Sequence, residues 1–180
     1  MRALEFDPVH DTRRTFDGLL SAMSRPGTVH EVPAPADHAV VATLVDHEVT
    51  IATADESLRD ALSGQGRLEP AALEEADIVH VRDHSVDVRA CKRGSLVEPS
   101  EGATVVYRVD SVAAGSGPGT TVTLSGPGVD GTATLSVSLP ESALAALAEA
   151  QSEYPRGIDA VLSGTDRLAA VPRSVTMEVT

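Results

Sequence analysis

The sequence predicts an α/β fold, a mixed sheet flanked by helices. Three observations carry this. Helical and β-branched segments alternate up to Gly102, strands separated by Gly-rich turns follow, and a strongly marked helix with a closing strand pair completes the pattern. No internal repeat and no break in composition divides the 180 residues, so residues 1–180 read as a single domain, long enough to bury a substantial core.

Asp7-Pro8 opens the first helix, in which Phe16, Leu19, Leu20 and Met23 recur at helical spacing. Pro26-Gly27 ends it, because Pro disfavours helix in the residue before it and Gly accepts a left-handed turn. Thr28–Val32 reads as a short strand, and Pro33 and Pro35 lead into an apolar helix over Ala36–Val45. Val49–Thr53 is a β-branched strand. Asp55 stands where its carboxylate can accept the unpaired N–H groups of a short helix ending at Gly64. Ile78–Val81 is the next strand, and Arg89–Gly94 a short helix closed by its glycine. Val105–Val109 and Thr121–Leu124, joined across Gly115–Gly119, read as a hairpin, with Thr132–Val137 extending the sheet. Pro140 starts a helix through Gln151 that turns Leu144 and Leu147 inward. Ile158–Leu162 and Leu168–Val171 form the final strand pair, with Val175–Val179 as a tail strand.

Composition narrows the function. Acids outnumber bases 27 to 14, a formal charge of −13, and Lys92 is the only lysine. So acidic a chain is unsuited to a nucleic-acid backbone or an anionic membrane surface. Many carboxylates and few lysines fit solubility in concentrated salt, where mutual repulsion is screened, and a salt-loving cytoplasm is the expected setting. The single Cys91 allows neither an internal disulfide nor a cysteine-based zinc or iron–sulfur site. Glu5, Asp7 and Asp11 interrupt the N-terminus, so no signal-peptide core is seen there, and the longest apolar run, near Ala39–Val45, falls far short of the ~20 residues a membrane helix needs. The chain is expected to be cytoplasmic. Neither a P-loop nor a G-x-S-x-G elbow is present.

Candidate chemistry is sparse. Ser125-Gly126-Pro127-Gly128 follows a strand and reads either as a structural turn or as an anion cradle of backbone N–H groups, one of which Pro127 removes. Arg25 before Pro26-Gly27, and Arg156 before Gly157, each join a guanidinium to a glycine-bearing turn. That arrangement recognises phosphate or carboxylate, and equally serves pairing with local acids or a subunit contact. His80 and His84, with Asp83 and Asp87, have a spacing a metal could use, but no second cluster accompanies them and solvated surface histidines are expected. Cys91 beside Lys92 and Arg93 is read as a small packed residue rather than an activated thiol, and Lys92 as a surface residue rather than a Schiff-base lysine. Residue chemistry alone therefore assigns no catalytic residue, no metal and no cofactor.

An ordered set of segments is more specific than any one of them. It comprises His10-Asp11-Thr12-x-Arg14-x-Phe16 running into Leu19-Leu20-x-Ala22-Met23-x-Arg25-Pro26-Gly27, then Glu98-Pro99-x-x-Gly102-Ala103-Thr104. Leu124-Ser125-Gly126-Pro127-Gly128-Val129, Tyr154-Pro155-x-Gly157-Ile158-Asp159-x-Val161-Leu162 and Ala170-Val171-Pro172-Arg173-Ser174-x-x-x-Glu178-Val179 complete it. This set resembles the PhnH family, the H subunit of the bacterial carbon–phosphorus lyase system. Tyr154 stands where the family usually has Phe, and Ser174-Val175 where it commonly has Thr-Thr.

The resemblance implies a fold related to the pyridoxal-phosphate-dependent transferases, without the cofactor and its lysine. It also implies a complex with the G, I and J subunits, in which the ribose triphosphate of ATP is joined to an alkylphosphonate with loss of adenine. The H subunit is needed there without a defined chemical role, so the chain is expected to be a non-catalytic subunit and, in isolation, a homodimer. Its expected ligand or interface residues are Arg25, Gly27, Gly126, Gly128, Arg156, Gly157 and Asp159. The alternative is a stand-alone binding protein or small enzyme for a phosphorylated or phosphonate compound, its affinity resting on Arg25 and Arg156.

Overall fold

The computed structural model describes residues 6–180; Glu5, and with it part of the signal-peptide reading, lies outside them. Among the described residues the elements run α1 (His10–Ser24), β1 (His30–Glu31), α2 (Ala36–Leu44), β2 (Thr50–Thr53), α3 (Glu56–Gly64), β3 (Glu69–Pro70), β4 (Ile78–Val81), β5 (Thr104–Arg108), β6 (Val112–Ala114), β7 (Thr120–Ser125), β8 (Thr132–Val137), α4 (Glu141–Ala150), β9 (Asp159–Ser163), β10 (Arg167–Val171) and β11 (Thr176–Val179). Two sheets result. A seven-stranded mixed sheet has the order β1-β10-β9-β5-β4-β2-β3, parallel from β3 to β9 and antiparallel at β10 and β1. A four-stranded antiparallel sheet has the order β11-β7-β8-β6.

Strand alternation divides the core in two. On β5, Val105 and Tyr107 join one apolar cluster while Val106 joins the other, because successive side chains leave opposite faces of the sheet. The first cluster fills the space between the large sheet, the small sheet and α4, with Val122, Leu124, Leu135, Val137, Leu144 and Leu147 buried in it. The second packs Leu19, Ala22, Val40, Val41, Leu58 and Leu62 from α1, α2 and α3 against the opposite face. A parallel sheet covered on both faces buries both sides of its strands, as β4 is throughout and β5 is over Val105, Val106 and Tyr107.

Several local readings hold. Asp55 caps α3, its carboxylate accepting the Leu58 N–H at 3.1 Å. Asp7 accepts the N–H groups of Val9 and His10 at 2.9 and 2.6 Å just ahead of α1. Leu144 and Leu147 are fully buried on α4, and β9 and β10 pair antiparallel.

Three readings are corrected. The expected hairpin of 105–109 with 121–124 does not form: β5 already has β4 on one side and β9 on the other, so β7 pairs instead with β8 and β11. The Gly115–Gly119 turn joins β6 to β7, which flank β8. The helix expected over Arg89–Gly94 shrinks to a single 3₁₀ turn, Val88–Ala90. The face of α1 also differs from its apolar period. Thr15, Gly18, Leu19 and Ala22 are buried while Phe16 and Leu20 are exposed. Small residues decide this: a Cβ at Gly18 would lie 2.9 Å from Val32 Cγ1, so the helix approaches its neighbour through the Gly18 side.

Candidate functional site

The parallel strands β2, β4 and β5 all end on one edge, and that edge carries most of the buried polar chemistry. Thr53 ends β2, His80 and Arg82 lie at the end of β4, and Arg108 ends β5. Asp37 and His38 open α2, and Asp55 caps α3. In open α/β sheets, this crevice beyond the carboxyl ends of the strands is where ligands bind.

The side chains form two linked histidine–aspartate pairs. His80 Nε2 lies 3.0 Å from Asp37 Oδ2, and His38 Nε2 lies 2.8 Å from Asp55 Oδ2. The two imidazole rings meet edge to face, their centroids 6.0 Å apart. An ionised Asp37 can only accept, so His80 donates from Nε2, and its Nδ1 lies 2.9 Å from the Thr53 hydroxyl. The Thr53 oxygen in turn accepts the Asp55 N–H at 3.1 Å.

Asp55 is saturated. Ser57 Oγ at 2.7 Å and the Leu58 N–H reach Oδ1, while His38 and the Arg82 guanidinium, at 2.7 Å, reach Oδ2. Burial opposes its ionisation, but the donors from Ser57, His38 and Leu58 outweigh it and hold the carboxyl well below the usual range. Asp37 behaves alike: burial works against the charge, and the His80 hydrogen bond with the charges of His38, His80 and Arg108 more than offsets it. Its Oδ1 is buried without a hydrogen-bond partner. Both carboxylates are almost fully buried, whereas the Arg82 and Arg108 side chains above them are each 45% exposed. The outward face of the cluster is therefore cationic.

A cleft of about 360 Å³ adjoins this edge. Thr53, Arg59, Arg82 and Asp83 supply its polar lining, and residues such as Ala71, Leu73 and Val86 its apolar wall.

The residues singled out from the sequence fall into two other groups. Gly27 and Gly128 sit where α1 ends against the turn after β7. A Cβ on Gly128 would lie 2.5 Å from the Ser24 carbonyl, and one on Gly27 2.3 Å from Ala133 Cβ, and both glycines have positive φ. Gly126 also has positive φ, and its Cβ would approach the Ser174 carbonyl. Arg25 beside them is exposed, with no side-chain hydrogen bond or ion pair among the described residues.

Gly157 and Asp159 belong to the second group, organised by Arg173. Arg173 binds Asp159 through Nη2 at 2.6 Å, through Nε at 3.1 and 3.2 Å, and through its backbone N–H at 2.8 Å. It also donates to the carbonyls of Pro99 and Gly102. Gly157 donates its N–H to the Arg93 carbonyl at 2.9 Å, and a Cβ on Gly102 would overlap the Gly157 carbonyl. Three of the sequence segments thus converge on one guanidinium. Arg156 instead pairs with Glu153, and Lys92 with Asp77.

The solvated reading of His80 is corrected: the ring is buried and hydrogen-bonded at both nitrogens, because β4 is covered on both faces. Sequence reasoning passed over Asp37, His38 and Asp55 as partners, since 17 and 43 residues separate the members of the two pairs. A signal was present. Thr53 and His80 stand at or near the ends of predicted strands and Asp37-His38 at a predicted helix start, the places the crevice rule selects. Cys91 is packed as expected, and burial pushes its thiol up to about 11.

Fold and edge together define an α/β protein with a buried histidine–aspartate cluster where ligands bind in such sheets. Residues 5–178 match the bacterial phosphonate metabolism protein (PhnH) family. A protein of Stutzerimonas stutzeri, described as "Putative C-P lyase subunit protein HtxG", is 31% identical over 164 residues, covering 88% of this chain and 82% of that protein. The chain belongs to the PhnH family, and its role lies in phosphonate metabolism.

Proposed function

We propose that this chain is a subunit of the carbon–phosphorus lyase core complex, acting with the G, I and J subunits where an alkylphosphonate is coupled to the ribose triphosphate of ATP with loss of adenine. Its part there is that of a non-catalytic member in one PhnH-like domain, cytoplasmic, with a fold related to the pyridoxal-phosphate-dependent transferases. The observation that carries this is the likeness along nearly the whole chain both to the family and to a protein named as a C-P lyase subunit. Exposed Phe16, Leu20, Leu96, Val97 and Tyr154 supply apolar surface of the kind that subunit contacts cover, and a homodimer would cover it when partners are absent. No helix among the described residues is long and apolar enough to cross a membrane.

The test is co-expression with the candidate G, I and J subunits, purified in molar salt through a tag on this chain. A stoichiometric complex is expected. Recovery of this chain alone, under salt in which all partners are folded, overturns the reading. Light scattering of the lone chain should give the dimer mass.

A further inference from the structure

We propose that the cleft beside His80 binds a small organic oxyanion, a phosphonate or phosphate monoester carrying a short apolar chain. Arg59 and Arg82 hold the anion, and Ala71, Leu73 and Val86 face the chain. This goes beyond the subunit reading and moves the expected anion contact away from Arg25 and Arg156.

Size comes first. At about 360 Å³ the cleft falls in the range of small-molecule sites, and it lies at the carboxyl edge of the parallel sheet. Its charge is equally specific. In a chain of formal charge −13, two arginines and one acid, Asp83, line it. The acid that neutralises Arg82 lies below it: Asp55 is 2% exposed at its side chain, against 45% for Arg82.

Donor arithmetic then selects the ligand. A guanidinium has five N–H donors in a planar fork. Arg82 uses Nη1 on Asp55, and Arg59 makes one long contact, 3.5 Å, with the Thr53 carbonyl. Among the described residues the remaining N–H groups of both have no partner. A tetrahedral oxyanion offers several charged acceptors to such a pair, and charge-assisted bonds of this kind are the strong ones.

The cleft also has an apolar wall: Ala71, Leu73 and Val86 are partly buried residues packed on the first apolar cluster. A free inorganic anion would leave that wall unused. An anion with a short alkyl body would cover it.

Calorimetric titration of the full chain with n-propylphosphonate, n-propyl phosphate, n-butyrate and inorganic phosphate tests the proposal. Both propyl tetrahedral anions should bind more tightly than inorganic phosphate and than butyrate. A tighter phosphonate would point to a phosphonate as the natural ligand, and a tighter phosphate to a phosphate ester. Arg59→Ala removes an exposed side chain with one long contact, so it should fold and weaken binding roughly tenfold or more. Arg82→Lys keeps a cation over Asp55 and should weaken binding through loss of the fork. Leu73→Ala should weaken the propyl compounds and leave inorganic phosphate unchanged.

Folded protein that binds none of the four overturns the proposal. So does affinity indifferent to Arg59→Ala and Arg82→Lys, or affinity that falls instead with Arg25→Ala or Arg156→Ala. The choice of phosphonate as a probe rests on the phosphonate-metabolism reading, while the site rests on the cleft. A chain that recruits its partners and leaves the cleft empty therefore refutes only the site.

Discussion

Replacing Arg173 by Met keeps much of the stem and removes the guanidinium that joins three distant segments. Asp159 then loses the side-chain contacts at 2.6, 3.1 and 3.2 Å, and the carbonyls of Pro99 and Gly102 lose a donor. The Arg173 and Asp159 side chains are only 13% and 19% exposed, so water replaces little of what is lost. Removing one partner of a mostly buried pair costs about 3–5 kcal/mol, and we take ~3 kcal/mol for a pair with this residual exposure. For a chain of this size, where 1 kcal/mol moves the melting temperature by roughly 2–4 °C, the midpoint should fall by about 6–12 °C. Thermal unfolding followed by circular dichroism at fixed salt reads this directly. Arg173→Lys should recover only part of the loss, because an ammonium cannot hold the carboxylate and two carbonyls in one plane. Adding Asp159→Leu to Arg173→Met should cost less than the two single changes summed, since no carboxylate is left stranded. A fall of less than about 2 °C for Arg173→Met, or strict additivity in the cycle, would refute the view of Arg173 as the pin of this region.

Two further expectations follow from the ionisable groups. Asp55 and Asp37 have native carboxyl pKa values below the unfolded value, so the stability they add is full above about pH 4 and is lost as pH falls through their native values. Asp55→Asn should therefore lower the urea midpoint at neutral pH and flatten its decline between about pH 5 and 2; an unchanged acid limb would contradict the assignment. Cys91, buried and with its thiol pushed up to about 11, should react with a thiol reagent far more slowly in native protein than in denaturant; equal rates would show that the site opens.

Local chemistry was legible and long-range pairing was not. The Asp55 cap, the Pro140 start of α4 and the apolar runs of β9 and β10 depend on neighbours within a few residues, and all stand where expected. The pairing of 105–109 with 121–124 failed because a short turn favours a hairpin only when the first strand has a free edge, and β9 occupies that edge from beyond an intervening sheet and helix. Phe16 and Leu20 matched a helical period, yet Gly18 decided which side of α1 meets the protein. Of the candidate site, Gly157 and Asp159 lay inside recognisable segments, but their organiser, Arg173, gave no local signal of its task. The histidine–aspartate pairs were unreadable as pairs for the same reason: their members come from separate elements and meet only once β2, β4 and α2 are in register.

The interposed small sheet also sets the order in which the protein can be completed during synthesis. β5 pairs with β4 upstream, but its other neighbour, β9, leaves the ribosome only after β6, β7, β8 and α4. Until then Val105 and Val106 lie on a strand whose outer row of N–H and C=O groups is open, the template on which chains join edge to edge. Translation that stalls between Arg108 and Asp159 should therefore release aggregating fragments, whereas chains carried past Val171 close that row themselves.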